Sequence, residues 1–315
     1  MDPGEPARSS GRPDDRDLID AIVEHAVHAP AGGRSAPAEL AGASVSYLPV
    51  AARRPGPAEP ETDEARRSDV DEWGRSEHMR AIVRRLYDPM YRYWFRVEWE
   101  GLEKIPTEGG ALLIANHAGA IPADAPAIMH GIETELGRPV YGLADYFFRT
   151  LPGVGTMWSR TGGVPAHPDN AYRLLHDQGQ LALVFPEGTK ATSKTYSDRY
   201  RLRRFGRGGF VEIAMRAGVP IIPIAVVGAE EAQPVFARLN LLRRLTRLPY
   251  VPVTPPLPLP AKFRIRFLEP VWTAEFGDAP WEDQGLVQAL SHDIRALIQE
   301  NLFEMVAARR SVWLG

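Results

Sequence analysis

The sequence contains no cysteine. Disulfide bonds, thiolate metal sites and cysteine acyl-enzyme intermediates are therefore excluded, and a reducing compartment is expected. The sequence also has no uncharged apolar run of roughly 18 residues or more, the length that a membrane-spanning helix needs. Its first residues carry neither the basic start nor the apolar stretch of a signal peptide. Any contact with a membrane is therefore expected from its surface, at the cytoplasmic face.

A strong charge of one sign is missing as well. The 37 basic and 40 acidic residues give a net charge of -3, which argues against nucleic acid as a partner. The eight histidines show no metal-ligand spacing, and the sequence has no Gly-x-Ser-x-Gly elbow and no Walker loop. The run from Gly153 to Gly155 lacks the third glycine of a dinucleotide fingerprint. These absences predict neither a metal nor a cofactor.

Composition divides the chain into a tail and one domain. Residues 1–66 are rich in alanine, proline and arginine and are predicted to be a disordered tail. Residues 67–315 are predicted to form a single domain with three parts: a helical segment (67–97), an α/β core (98–270) and a packing helix (280–310). The first helix is expected to be capped by Ser68 and interrupted at Pro89. In the core, apolar runs alternate with helical ones, which predicts a largely parallel or mixed central sheet flanked by helices.

The first candidate site follows the apolar run 111–115. A strand there would end at Asn116 and His117, and a helix would open at Pro122 with Asp124 in its first turn. An Asp that accepts from one imidazole nitrogen leaves the other nitrogen to take a proton. The alternative is a loop histidine beside a helix-capping aspartate.

The second candidate site follows the apolar run 181–185. Glu187, Gly188, Thr189 and Lys190 place a carboxylate, a flexible residue and a cation at one strand end. Open α/β sheets place their ligands at such strand ends. A phosphate could be met by Lys190, although an ordinary turn with a surface lysine has the same composition. Several arginines follow between residues 199 and 207; such a run is usually a solvated face.

Taken in order, these segments resemble the glycerolipid acyltransferase superfamily, whose type members are the lysophosphatidic acid acyltransferases. The resemblance covers roughly residues 80–270, and its most specific part is the Phe-Pro-Glu-Gly-Thr box. The family's four boxes correspond to Asn116-His117 with Asp124, residues 155–164, Phe185–Thr189 and Val219–Pro223. The chain departs from the family pattern in two respects. Six residues rather than four separate His117 from Asp124, and no arginine ends the second or third box.

The resemblance implies an acyltransferase, transferring groups other than aminoacyl groups, with a glycerolipid acyltransferase-like fold. His117 and Asp124 are the implied catalytic pair. The implied substrate-binding residues are Asn116, Arg160, Glu187, Gly188, Thr189 and Lys190. The acyl donor would be acyl-CoA or acyl carrier protein, and the acceptor a hydroxyl of a lysophospholipid or related glycerolipid in phospholipid biosynthesis or remodelling. The missing arginines leave open a non-phosphate lipid acceptor (monoacylglycerol, glycolipid or amino lipid), and a catalytically silent membrane-surface adaptor is the further alternative.

Two segments are candidates for contact with a membrane. Residues 234–248 predict a basic amphipathic helix, with Leu239 and Leu242 on one face and arginines such as Arg243 beside it. The same pattern fits a helix that packs on its own domain. The aromatic segment 87–99, which includes Trp94 and Trp99, is the second candidate, and it could equally belong to the core.

Overall fold

The computed structural model describes residues 69–119, 123–145, 153–239 and 251–314, with only the backbone at 189 and 190. The predicted tail, Ser68 and Pro122 lie outside these residues. The strands are β1 (Glu98–Glu100), β2 (Ala111–Ala115), β3 (Val140–Ala144), β4 (Gly163–Pro165), β5 (Leu181–Val184), β6 (Ile221–Val227), β7 (Ala237–Leu239), β8 (Val251–Val253) and β9 (Arg264–Phe267). The α-helices are α1 (Glu77–Pro89), α2 (Asp124–Glu135), α3 (Val154–Arg160), α4 (Pro168–Tyr172), α5 (Thr189–Thr192), α6 (Gly209–Ala217), α7 (Ala229–Ala232) and α8 (Gln284–Ala308).

Seven strands form the central sheet in the order β1-β9-β6-β2-β5-β3-β4. Only the β6–β9 pair is antiparallel among the described pairs of this sheet, so the predicted largely parallel α/β fold is confirmed. β2 and β5 are adjacent and in register from Ala111 opposite Leu181 to Ile114 opposite Val184. The two candidate segments, which follow the carboxyl ends of these strands, therefore lie side by side.

The core fills both faces of the sheet, as parallel sheets require. In β2, Leu112 and Ile114 face one apolar cluster, which is covered mainly by α6 and α8. Ala111, Leu113 and Ala115 face the other cluster, which is covered by α2. All five residues of β2 are buried, so the strand that carries His117 is anchored on both sides.

The N-terminal helix starts later than the sequence pattern predicts. α1 begins at Glu77, and the side chain of Ser76 accepts the N–H of Met79. The carboxylate of Asp71 accepts the N–H groups of Trp73 and Arg75 and forms a turn ahead of the helix. The helix does break where proline predicts it, because α1 ends at Pro89 and a π-helical turn follows over Met90–Trp94.

The predicted amphipathic helix over residues 234–248 is wrong where the structure describes it. Ala237–Leu239 is a strand that pairs with Val251–Val253 inside the proline-rich segment, and Val235 is buried. Residues 240–250 lie outside the described residues. The segment is extended because its backbone forms hydrogen bonds with β8. The helical spacing of its apolar residues gives no sign of that partner strand. The predicted C-terminal helix is α8, capped by the Asp283 carboxylate.

Candidate active site

The centre of the site is a histidine held by a buried carboxylate. His117 Nδ1 lies 3.0 Å from Asp124 Oδ2. The same carboxylate accepts the N–H groups of Ala118 (2.8 Å) and Ala125 (2.7 Å). Asp124 is 0% exposed, whereas the His117 side chain is 14% exposed. Because an ionised carboxylate only accepts, Nδ1 carries the proton of the neutral imidazole, and Nε2 has its lone pair available.

An aromatic ring fixes the imidazole from the neighbouring strand. The ring of Phe185, directly after β5, stacks on His117 with centroids 4.1 Å apart and planes 26° apart. This contact follows from the register, because Ile114 pairs with Val184 and the next residues extend alongside each other. Phe185 was not among the predicted site residues, although its place at a strand end beside the Pro-Glu-Gly turn was a usable signal.

Glu187 supports the turn from inside the protein. It is buried, and its Oε1 accepts the N–H of His117 (3.4 Å) while Oε2 accepts the N–H of Arg203 (2.6 Å). Its carboxylate also faces the Lys194 ammonium at 3.5 Å. Glu187 therefore positions the His117 backbone through protein contacts. Gly188 next to it has φ 58° and ψ −151°, a conformation that favours glycine.

Asn116 has a similar supporting place. Its side-chain Nδ2 donates to the carbonyl of Val226 (3.0 Å), and its Oδ1 accepts the N–H of Val226 (2.7 Å). The amide thereby extends the β2–β6 ladder by one side chain and is fully buried. The structure supports a positioning role for Asn116 and does not support direct contact with a substrate.

Arg160 is far from His117. It precedes Gly163 at the amino end of β4, whose register leads through Gly142 and Leu183 to Leu113. His117 lies four residues beyond Leu113, past the carboxyl ends of the strands, whereas Arg160 lies before their amino ends. Three strand spacings add roughly 14 Å in the sideways direction. Arg160 is thus not brought to the imidazole, and the predicted anion contact by Arg160 is not supported. Thr189 and Lys190 open α5, and their side chains lie outside the described atoms.

Two carboxylates share one buried lysine behind the turn. Lys194 Nζ lies 3.2 Å from Glu230 Oε1 in addition to its contact with Glu187. Burial raises the pKa of Glu230 to about 7, although the nearby Lys194 charge acts in the opposite direction. The cluster lies beside the loop that follows His117, since Lys194, Glu230 and Gly119 line one narrow crevice of about 10 Å³. That volume has room for about one water molecule.

A partly buried tyrosine of α1 senses the charge of Asp124. Burial raises the pKa of Tyr87 well above its usual value, and the negative charge of Asp124 raises it further by a smaller amount. Tyr87 also packs edge-on against His130 of α2, with ring centroids 5.2 Å apart. Its hydroxyl is buried without a hydrogen-bond partner among the described residues. Tyr87 therefore stays neutral and packs α1 against α2 through His130.

A partly exposed histidine whose Nδ1 faces a buried carboxylate, next to a strand-end turn, has the geometry that a general base requires. Residues 96–227 match the acyltransferase family model, so this part of the chain is an acyltransferase domain. This domain match supports an acyltransferase enzyme. No described helix has both the length and the apolarity to cross a membrane.

The chain is similar to other proteins in sequence and in fold. An uncharacterized protein of Mycobacterium tuberculosis is 41% identical over 258 residues, which cover 78% of this chain and 72% of that protein. The DGAT1/2-independent enzyme synthesizing storage lipids of Bos taurus is 30% identical over 177 residues, 55% of this chain and 52% of that protein. The crystal structure of the 1-acyl-sn-glycerophosphate acyltransferase PlsC of Thermotoga maritima shares the fold, with a TM-score of 0.50, 22% identity, and coverage of 73% of this chain and 80% of that one.

Proposed function

We propose that this protein transfers a fatty acyl group from a thioester donor, acyl-CoA or acyl carrier protein, to a hydroxyl of a glycerolipid, with His117 as the general base. The observation that carries the proposal is the 3.0 Å contact between His117 Nδ1 and the buried Asp124, with Nε2 left to take a proton. In the absence of cysteine, direct attack of the acceptor on the thioester is the simplest route.

The reaction needs one proton to be moved twice. Nε2 of His117 takes the proton of the acceptor hydroxyl while its oxygen forms a bond to the thioester carbonyl carbon. The tetrahedral intermediate then breaks its C–S bond, and the imidazolium returns the proton to the departing thiolate. Asp124 stabilises the imidazolium between these steps, and Phe185 keeps the ring in place. General-base assistance of this kind contributes on the order of a hundred- to ten-thousandfold in rate.

The charges around the site bear on which lipid is the acceptor. A lysophospholipid acceptor, as in phospholipid biosynthesis, would need cations near the transferred group. Arg160 lies at the amino ends of the strands, away from His117. The buried Lys194 is already paired with Glu187 and Glu230. Of these two described cations, neither is available to an acceptor phosphate. Together with the likeness to enzymes named for storage-lipid synthesis, this favours a neutral acceptor such as monoacylglycerol or diacylglycerol.

The test is thiol release from an acyl-CoA with each acceptor, followed by mass spectrometry of the lipids formed. We expect acceptor-dependent release by the wild type and a loss of at least a hundredfold in His117→Ala. His78→Ala, on the exposed surface of α1, is the matched control. Unchanged release by His117→Ala would remove the proposed base. A product formed from lysophosphatidic acid but not from monoacylglycerol or diacylglycerol would refute the neutral acceptor alone.

A membrane surface is the proposed partner because an exposed apolar surface surrounds the end of α1. Leu86 and Tyr93 are 74% and 76% exposed. Trp94 donates to the carbonyl of Pro258, next to the exposed Leu257, so the surface continues beyond the helix. Aromatic and aliphatic side chains flanked by arginines are typical of interfacial binding.

Flotation with lipid vesicles tests this surface. We expect the wild type to float with the vesicles and Leu86→Asp combined with Tyr93→Asp to abolish flotation, because each charge would have to enter the interface. Phe303→Asp is the matched control, since Phe303 is an accessible apolar residue on α8. Flotation that survives the double substitution would place the membrane contact elsewhere.

A further inference from the structure

A concave, basic region lies between the arginine-rich segment after β5 and one side of α8. Its cavity measures about 310 Å³. We name it the arginine cleft. The lining residues are Arg204, Phe205, Gly206, Arg207, Gln288, Ala289, Ser291, His292 and Arg295. Three arginines and one histidine are among them, and none of the described lining residues is acidic.

Backbone contacts hold two of the guanidinium groups without neutralising them. Arg295 donates from Nε to the carbonyl of Arg203 and from Nη2 to the carbonyl of Leu202, both at 2.9 Å. Arg204 donates from Nε to the carbonyl of Gly206 at 3.1 Å. Arg204 and Arg295 therefore present two guanidinium charges to one cavity, and a ligand with more than one negative charge is attracted to both. Planar guanidinium groups match phosphate oxygens particularly well.

The cleft is joined to the active site by a short chain of hydrogen bonds. The Arg203 carbonyl accepts from Arg295, and the Arg203 N–H donates to Glu187. Glu187 in turn accepts the N–H of His117. The segment that forms one wall of the cleft is therefore the same segment that supports the catalytic turn. Only Arg203 and Glu187 separate the Arg295 side chain from the His117 backbone, a shorter distance than the length of an acyl-CoA arm.

We propose that the arginine cleft binds the phosphate groups of the CoA part of the acyl donor. An acyl-CoA carries its phosphates at one end and its thioester at the other, joined by a long flexible arm, which fits a cationic cleft beside the thioester site. The inference rests on the proposed function, because it assumes a thioester donor. The phosphate of an acceptor headgroup has the same chemistry, and the experiment separates the two sources.

Binding is measured first, on the full-length protein, by calorimetry with adenosine 3′,5′-bisphosphate. We expect Arg204→Ala combined with Arg207→Ala to weaken binding about tenfold or more, since charged hydrogen bonds are lost. Arg204→Lys with Arg207→Lys should recover part of the affinity. Arg216→Ala, an exposed arginine paired with Glu212 on α6, is the matched control and should bind as the wild type does. Equal binding by the double alanine variant would overturn the inference.

Kinetics with two donors identify the bound group. In the double alanine variant, KM for acyl-CoA should rise about tenfold, with kcat changed less than about twofold. KM for the acyl thioester of N-acetylcysteamine, which has no phosphate, should stay unchanged. Equal increases for both donors, or an increase only in KM for lysophosphatidic acid, would overturn the donor assignment.

Failure of the proposed function is recognised separately. His117→Ala should lose transfer and still bind the bisphosphate with wild-type affinity, because the cleft does not include His117. If the wild type transfers no acyl group from any donor but binds the bisphosphate through Arg204 and Arg207, the cleft is a CoA site and the proposed reaction is wrong. If acyl transfer proceeds only from acyl carrier protein and the bisphosphate does not bind, the reaction stands and the cleft assignment is refuted.

Discussion

Replacement of Asp124 by asparagine tests the proposed pair most directly, because the substitution keeps the shape and changes only the hydrogen-bonding pattern. In the wild type, Oδ2 accepts from both His117 Nδ1 and the Ala118 N–H, and Oδ1 accepts from the Ala125 N–H. An asparagine side chain has a single accepting atom. With its oxygen facing His117, its amino group meets the Ala125 N–H, and two donors oppose each other.

The opposite orientation of the introduced amide harms the base itself. The amino group would then face His117 Nδ1 and also the Ala118 N–H. The first contact requires the imidazole proton to move to Nε2, the atom that must accept from the substrate. We therefore expect kcat to fall by on the order of a hundred- to ten-thousandfold. That loss corresponds to about 3 to 5 kcal/mol of transition-state stabilisation.

The assay is thiol release from acyl-CoA at saturating acceptor, with thermal unfolding measured in parallel to show that the variant is folded. Asp278→Asn, which changes an exposed carboxylate, is the matched control and should keep wild-type kcat. A folded Asp124→Asn enzyme that retains kcat within about threefold would refute the argument that Asp124 sets the tautomer of His117.

Three further outcomes follow from the site geometry. Phe185→Leu should lower kcat about two- to tenfold with little change in KM, since the ring that restrains His117 is lost; equal changes in both constants would contradict this. Asn116→Ala should lower the free energy of unfolding by about 2 to 4 kcal/mol in urea titrations, because the N–H and carbonyl of Val226 lose their buried partners. Glu230 has a folded-state pKa raised to about 7, so its protonated form favours folding at low pH, and that stability is lost as pH rises from about 5 to 7. Relative to Glu230→Gln, the wild type should lose up to about 3 kcal/mol over this range, and parallel unfolding curves for the two proteins would refute the assignment.

The sheet could be predicted because its strands carry a strong local signal. Ala111–Ala115 and Leu181–Val184 are short apolar runs followed by polar residues, and both are strands with those polar residues at their carboxyl ends. The long helix over Gln284–Ala308 is equally evident from its apolar spacing. The segment at 237–239 was misjudged, because its partner strand lies in a proline-rich stretch that does not suggest extended pairing.

The site was only partly predictable. His117 and Asp124 stand out by residue type, but six residues separate them, and whether their side chains meet depends on the loop between them. Glu187 and Asn116 were expected to face a substrate, yet both are buried and paired with backbone groups. Lys194, which balances Glu187 and Glu230, has no signal in the sequence, because its partners lie 7 and 36 residues away.

The amino-acid sequence by itself determined the alternation of strands and helices, the family and the residue types available for chemistry, because these depend on local pattern and side-chain composition. The tertiary structure alone decided which of those groups act together. Parallel pairing of β2 with β5 brings Phe185 and Glu187 to His117. The same register places Arg160 at the amino ends of the strands, away from His117. Hydrogen bonds and ring contacts act over only a few ångströms, so strand order and register, rather than proximity along the chain, determine the site.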